Sequence, residues 1–486
     1  MAEEALKSKT VSSVGWKFLG SLTSYGITFI VGIILARLLG PDEYGLIGII
    51  LVFVTLFNGI ADGGFSTALI REKDVSDIDY STTFITNFLL SLGLSGGMYL
   101  AAPWIAGFFG REELVDLSRM MALCVIFNAL SIIQQTRLII ELDFKKQTIG
   151  TVLASLLSGI VGVLMAYKGF GVWSLVGQQL SRYIFYAVIL WIIMKWWPKL
   201  VFSITSFRKL WSFGWKILLS SLISNLWNEL NQIVIGKCYS STDLGYYTRG
   251  REYVNIASQN LTMVVQTVSY PALSKIQDEK ERLKSAYKKV IKVTMLVTFV
   301  LVFGMAGCAK QLILVLIGEQ WLPCVSMLQL TCFSAVLFPL HAINLNMLQV
   351  KGRSDIFLKL EIVKKFIGIP PLLIGVFVSI HWMLFAWIIS GLLSYYLNAY
   401  YSGRLLNYSF NEQLKDLFPS FSISMLMALV VYSLSFLTVS NILVLCLQII
   451  VGATIVVVLC KYFKLEEYYE CVEMAKTYIK SIRNRI

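Results

Sequence analysis

Apolar runs longer than the roughly 18 residues that cross hydrocarbon follow one another along almost the whole chain, and they leave few folds open. Peptide groups inside a bilayer have no water to bond, so only helices or a closed barrel can span it, and runs of this length read as helices. Of the 486 residues 57% are hydrophobic and 15% charged, against about 25% charged in a soluble domain. We count about fourteen spans, near 15–39, 44–69, 82–109, 114–140, 147–169, 171–195, 210–237, 244–270, 287–317, 323–349, 356–380, 382–407, 414–437 and 441–463. The connections are short and leave no room for a separate soluble domain. The expected fold class is therefore an all-α polytopic membrane protein.

The chain also repeats itself. Gly15-Trp16-Lys17 opens one apolar run and Gly214-Trp215-Lys216 opens another. Ala36-Arg37 with Asp42-Glu43-Tyr44-Gly45 is echoed by Gly236-Lys237 with Thr242-Asp243-Leu244-Gly245, and the offset grows from 199 to 200 between the two landmarks. Spans one and seven start on the same side, so the copies share orientation. That geometry predicts two six-helix lobes related by a pseudo-twofold axis along the membrane normal, as in two-lobed transporters. The expected divisions are 1–200 for the first lobe (spans one to six) and 201–410 for the second (spans seven to twelve). Residues 411–463 add spans thirteen and fourteen, and 464–486 form a basic cytoplasmic tail, a helix lying on the membrane surface.

The formal charge of +13 need not mean nucleic acid, and no nucleic-acid partner is expected. Lys and Arg concentrate on cytoplasmic loops of membrane proteins. One set of loops carries Lys7, Lys9, Arg71, Lys73, Lys145, Lys146, Lys195, Lys199, Lys275, Lys280, Arg282, Lys351, Arg353 and the tail Lys476 to Arg485. The alternate loops carry little beyond Arg111, Arg119 and Lys168. Both termini are thus expected in the cytoplasm. The eight cysteines form no CxxC pair, so neither a metal site nor a disulfide framework is expected. The first residues lack a cleavable-signal pattern and should stay in the mature protein.

Five motifs carry a family resemblance. They are Ala36-Arg37-Leu38-Leu39-Gly40-Pro41-x-x-Tyr44-Gly45; Asp62-Gly63-Gly64-Phe65-Ser66-x-Ala68-Leu69-Ile70; Gly169-Phe170-Gly171-Val172-Trp173-Ser174-Leu175-Val176; Leu244-Gly245-Tyr246-Tyr247-x-Arg249; and Lys351-Gly352-Arg353-Ser354-Asp355-x-Phe357-Leu358-Lys359-Leu360-Glu361. In this order the chain resembles the Wzx-type polysaccharide flippases of the MOP exporter superfamily, over about residues 10 to 405. The resemblance implies a V-shaped two-lobed exporter in a bacterial inner membrane. It would flip a polyprenyl-diphosphate-linked oligosaccharide from the cytoplasmic to the outer leaflet by alternating access, for surface polysaccharide biosynthesis. It implies no catalysis and no cofactor beyond a proton or sodium gradient, and as partners the bilayer with polysaccharide polymerase and export machinery. Lipid II flippases carry arginines in the middle of span one. Ser21 to Phe29 holds no cation here, which favours another lipid-linked glycan.

Such cargo needs a polar, cationic, water-filled path, because each unpaired hydroxyl in hydrocarbon costs up to several kcal/mol. Arg suits phosphate through its planar fork. Arg182, beside Gln178 and Gln179 near the middle of span six, reads as a cavity cation; the alternative is an arginine bonded to backbone carbonyls. Arg249 and Arg251, early in span eight, read either as diphosphate ligands or as snorkelling anchors. Lys17 and Lys216 are repeat-equivalent and read as phosphate contacts at the cytoplasmic mouth or as positive-inside anchors. Asn225, Asn228 and Gln232 fall on one helical stripe near Trp227, suited to sugar hydroxyls and ring stacking, or to helix–helix bonding. Asp62 and Glu229 are acids at membrane depth, candidates for ion coupling or for structural pairing. Pro370-Pro371 is the expected kink in span eleven. Two other readings stay open, a cation-coupled small-molecule exporter of the same superfamily and a membrane enzyme of glycan assembly. Short outer loops and the lack of a clustered acid–base set speak against the enzyme.

Overall fold

The computed structural model describes residues 2–483, with the side chains of 2–14, 17–19, 259–260, 264, 267–268, 475 and 478–483 outside that description. Among the described residues all regular structure is helical. In chain order it runs α1 (Ala2–Leu38), α2 (Pro41–Asp62), α3 (Phe65–Arg71), α4 (Asp77–Phe109), α5 (Leu114–Ile140), α6 (Phe144–Tyr167), α7 (Trp173–Met194), α8 (Ile204–Cys238), α9 (Ser241–Ser274) and α10 (Lys280–Leu316). It continues with α11 (Cys324–Ala335), α12 (Phe338–Val350), α13 (Ser354–Phe377), α14 (Ile380–Leu406), α15 (Phe410–Ser433), α16 (Asn441–Tyr462) and α17 (Glu466–Arg483). Among the described residues, eleven helical segments are long and apolar enough to cross a membrane, and the chain is a multi-pass membrane protein. The three further expected spans are helices α8, α9 and α13, which are long enough but too polar to qualify on composition alone.

Two expected spans are broken helices. Span two divides into α2 and α3 at Gly63 and Gly64, whose φ values of 60° and 73° are left-handed and suit glycine. Span ten divides into α11 and α12 ahead of Pro339. The Pro370–Pro371 pair, expected to kink span eleven, lies inside α13, which continues past it to Phe377. Pro371 lacks the N–H that the Ile367 carbonyl would accept, and the Ser390 hydroxyl of α14 donates to that carbonyl instead, at 3.1 Å.

The chain packs as two compact units, residues 1–245 and 246–486. In the second, α10 is central and lies against α11, α15 and α16. Phe299 and Phe303 of α10 meet Phe421 of α15 edge-on, each at 5.5 Å between ring centroids. The tail helix α17 docks on α10 through Lys289–Glu470 at 2.7 Å and Lys292–Glu467 at 3.2 Å.

In the first unit α4 packs on α5, α1 on α6, α6 on α7, and α5 on α7. The helix that opens the sequence repeat, α8, runs antiparallel along α2. Gly214 meets the Gly63–Gly64 turn, the Asn225 amide reaches Gly59, and Gly236 meets Ile49. At the far end of this seam the repeat closes on itself. A Cβ on Gly45 would overlap the Ser241 carbonyl, and a Cβ on Gly245 would overlap the Pro41 carbonyl. The two contacts are reciprocal, because Pro41 and Gly45 sit at the same offset from Ser241 and Gly245. Beside them Arg111 grips Asp42 with both terminal nitrogens, at 2.9 and 2.8 Å. Ser241 and Thr242 also donate to that carboxylate. Arg111 holds the neighbouring Glu113 carboxyl below the usual glutamate range.

Gly45→Val and Gly245→Val should therefore each destabilise the protein, on the order of 1–3 kcal/mol, as over-packing does. Gly93→Ala, where nothing lies within 4 Å, should be neutral or slightly stabilising. Thermal unfolding in detergent, followed by tryptophan fluorescence, measures both; equal melting temperatures for all three would refute the close-approach argument.

Candidate functional site

A cavity of about 530 Å³ opens within the first unit, among α1, α5, α6 and α7. Its walls are polar stripes on otherwise apolar helices. From α1 come Ser21, Ser24, Tyr25 and Thr28; from α7 come Gln179, Arg182, Tyr183 and Tyr186. Both sets follow i, i+3, i+4, i+7 spacing, which places each on one helix face. Asn128 and Gln135 project from α5, and Gln147, Thr148 and Thr151 from α6.

Small residues bring these stripes together. A Cβ at Gly20 of α1 would overlap the Thr148 side chain of α6, and Thr148 donates to the Trp16 carbonyl at 3.0 Å. Between α6 and α7, Gly162 takes Gln178, Gly177 takes Met165 and Gly150 takes Leu190. The Trp191 indole N–H of α7 donates to the Leu130 carbonyl of α5 at 2.8 Å. Close helix approach through small residues is the usual packing device where lipid offers no hydrophobic drive.

Among the described residues the cavity lining holds one cation and no acid. Arg111, Arg119, Arg137, Arg249, Lys288, Lys292 and Lys364 each face a carboxylate of this chain. Among the described residues no carboxylate lies within ion-pair distance of Arg182. It stands near the middle of α7, where an unpaired arginine needs water or an anion. Two neutral groups are also left wanting. The buried Ser24 hydroxyl has no hydrogen-bond partner, and neither does the Asn58 carbonyl oxygen, although the Asn58 amide donates to the Tyr183 hydroxyl at 3.2 Å.

The other residues singled out by sequence lie elsewhere. Gln178 packs into the α6–α7 seam against Gly162, and its neighbour Gln179 faces the cavity, since successive helical residues point about 100° apart. Asn225, Trp227, Asn228, Glu229 and Gln232 are on α8 and outside the cavity lining. Asn225 lies against α2, Asn228 is exposed, and the Gln232 amide donates to Glu229. Asp62 accepts from the Ser66 hydroxyl across the α2–α3 turn, and Thr136 donates to Ser66 at 3.0 Å. Lys216 is exposed, its ammonium 6.0 Å from the Trp215 ring centroid. The Lys17 side chain lies outside the described residues. In the second unit Arg249 is 4% exposed and ion-paired with Glu252, and Arg251 is half-buried on the same helix. Both alternatives drawn from sequence had assigned Arg249 to a cleft or an interface; its place is internal.

Sequence reasoning missed most of the cavity wall: Tyr25, Asn128, Gln135, Gln147, Thr148, Thr151, Tyr183 and Tyr186. The signal was present as polar residues at helical spacing within apolar runs, read from α8 but not from α1 or α7. It also missed a polar cluster in the second unit. There Lys364 of α13 pairs with Glu361, and the Asn398 amide lies 3.2 Å from the His341 ring. Among the described residues no group of His, Cys, Asp or Glu is arranged to hold a metal ion.

The sequence profile of a family described as polysaccharide biosynthesis protein matches residues 34–326. The chain is 26% identical over 317 residues to the succinoglycan biosynthesis transport protein ExoT of Rhizobium meliloti (strain 1021), a match covering 65% of this chain and 64% of that one. It is 23% identical over 377 residues to the lipopolysaccharide biosynthesis protein WzxC of Escherichia coli (strain K12), covering 76% of each. Its fold is similar to that of the lipid II flippase MurJ in an inward closed conformation, with a TM-score of 0.76 at 16% identity, over 93% of this chain and 99% of that one.

If the cavity is wet, a cysteine at Gln179 or Ser21 should react with a charged, membrane-impermeant thiol reagent in a cysteine-free background. A cysteine at Leu164, exposed on the outside of α6, should not. Mass spectrometry of the labelled protein reads the difference, and labelling at Leu164 alone would refute a hydrated cavity.

Proposed function

Since the chain belongs to the polysaccharide biosynthesis protein family, we propose that it moves a polyprenyl-diphosphate-linked oligosaccharide from the cytoplasmic to the outer leaflet of a bacterial cytoplasmic membrane. The observation that carries this reading is Arg182, a cation without an acidic partner, in a polar cavity bounded by four helices. Moving each sugar hydroxyl through hydrocarbon unpaired costs several kcal/mol, so unaided crossing is negligible. Amides, hydroxyls and one guanidinium at membrane depth supply the missing partners while the prenyl tail stays in lipid.

The three less apolar helices fit the same task. A span that lines a wet path can carry Asn, Gln, Lys and Glu at depth, because those groups are then solvated. We therefore read α8, α9 and α13 as spans, giving fourteen, with both termini in the cytoplasm as the loop charges require. A proton or sodium gradient would drive net transfer, and a polymerase and export machinery would receive the product.

Arg182→Ala should slow translocation about 10- to 100-fold, the value of a charge-assisted hydrogen bond of roughly 1.5–3 kcal/mol. Arg182→Lys should fall between. The measurement uses proteoliposomes loaded with the lipid-linked glycan fraction of the producing cells, with an impermeant glycan-cleaving enzyme reporting exposure outside. Exposure no faster than in protein-free liposomes, under an imposed ion gradient, would overturn the flippase reading and favour small-molecule export.

A further inference from the structure

We infer that the cavity among α1, α5, α6 and α7 is a subsite for a sugar unit bearing a single carboxylate, and not for the diphosphate. The inference rests on reading this cavity as part of the translocation path.

Charge balance comes first. Among the described residues the lining offers one guanidinium, no second cation and no acid. A diphosphate esterified at both ends carries two negative charges at neutral pH. Placed here, one of them would lack a counter-charge, and an uncompensated charge in a poorly solvated site costs several kcal/mol. A single carboxylate leaves the pair neutral. Its two oxygens also match the guanidinium fork, which makes two parallel hydrogen bonds.

The neutral wall points the same way. Asn128, Gln135, Gln147 and Gln179 each present a donor and an acceptor, the pairing that neighbouring sugar hydroxyls require. Phosphate oxygens only accept, so the four amide oxygens would have no partner on a diphosphate. The Ser24 hydroxyl, buried at the cavity and without a partner, has an unmet hydrogen bond that a ligand hydroxyl would complete. Tyr25, 41% exposed on the same stripe of α1, offers a ring face against which a pyranose can lie.

The test measures binding to the purified full-length protein in nanodiscs, by titration calorimetry with methyl glucuronide, methyl glucoside, acetate and inorganic pyrophosphate. The glucuronide should bind at least 10-fold more tightly than the glucoside or acetate, and pyrophosphate should not displace it. Arg182→Gln should erase the preference for the glucuronide and leave glucoside binding intact, which also shows that the variant is folded. Equal binding of glucuronide and glucoside, displacement by pyrophosphate, or an Arg182→Gln variant that keeps the preference would each overturn the inference. A parallel flipping assay compares neutral and uronate-bearing lipid-linked disaccharides. Translocation of both at equal rates, each slowed alike by Arg182→Gln, would remove the carboxylate subsite and leave the flippase reading standing. Translocation of neither would remove the flippase reading itself.

Discussion

A peptide N–H or C=O left unpaired in hydrocarbon costs several kcal/mol, and side chains of this chain bond the backbone at two points where its sequence interrupts a helix. Ser390 bonds the Ile367 carbonyl that Pro371 leaves free. Asp62 and Ser66 tie the turn where Gly63 and Gly64 break α2 from α3. Once every span is a self-satisfied helix, burying apolar surface no longer drives helices together, because lipid tails are as apolar as leucine. Close packing takes over that role. Gly20, Gly45, Gly162, Gly177 and Gly245 are where neighbouring helices come within reach of one another's backbone or Cβ atoms. The cavity is a product of that closeness, since polar stripes on separate helices enclose a common space only when the helices meet on their other faces.

The cations of this protein differ in whether an acid of the chain stands beside them. Near helix ends they are matched with acids: Arg111 with Asp42, Lys209 with Glu72 at 2.7 Å, and Lys199 with Asp77 at 3.8 Å. Such pairs near water contribute little individually, and they mainly fix where each helix ends. Arg182 lies near the middle of α7 with no acid beside it. Inserting an arginine at that depth costs roughly 2.5–3.5 kcal/mol, and a carboxylate on a neighbouring helix would have reduced the penalty. A site that must receive an external anion has to leave its own cation uncommitted, because an internal acid would compete for the guanidinium fork. Arg249, ion-paired with Glu252 inside the second unit, shows the opposite arrangement in the same chain.

The helical fold and most spans were legible because hydrocarbon imposes a length and a polarity that composition reveals directly. Helices α8, α9 and α13, which composition alone does not mark as spans, entered the expected fourteen as apolar runs, and the alternation of loop charge is what supports counting them. The cavity was half legible. Arg182 stood out because a cation in an apolar run is costly, whereas Ser21, Thr28, Thr148 and Thr151 cost little and so attract no notice singly. Only their i, i+3, i+4, i+7 alignment distinguishes them, and that alignment could be read on α1 and α7. Which of Gln178 and Gln179 faces the cavity turns on which side of α7 packs against Gly162, and helix pairing is not written in any single segment. The burial of Arg249 was not legible for a related reason. Its partner Glu252 lies one turn further along its own helix, and the burial of that face follows from packing against α11 in the second unit.

A translocation site must bind well enough to admit its cargo and weakly enough to let it go. A cluster of cations around a diphosphate would hold every lipid-linked glycan tightly, whatever its sugars, because the diphosphate is common to all of them. One guanidinium among neutral amides and hydroxyls behaves differently. Its single ion pair adds on the order of 1.5–3 kcal/mol, and the amides exchange sugar hydroxyls for water at little net gain. The resulting affinity is modest and varies with the glycan. On the proposed reading, such a cavity would select cargo by the sugar that carries the charge and still release it.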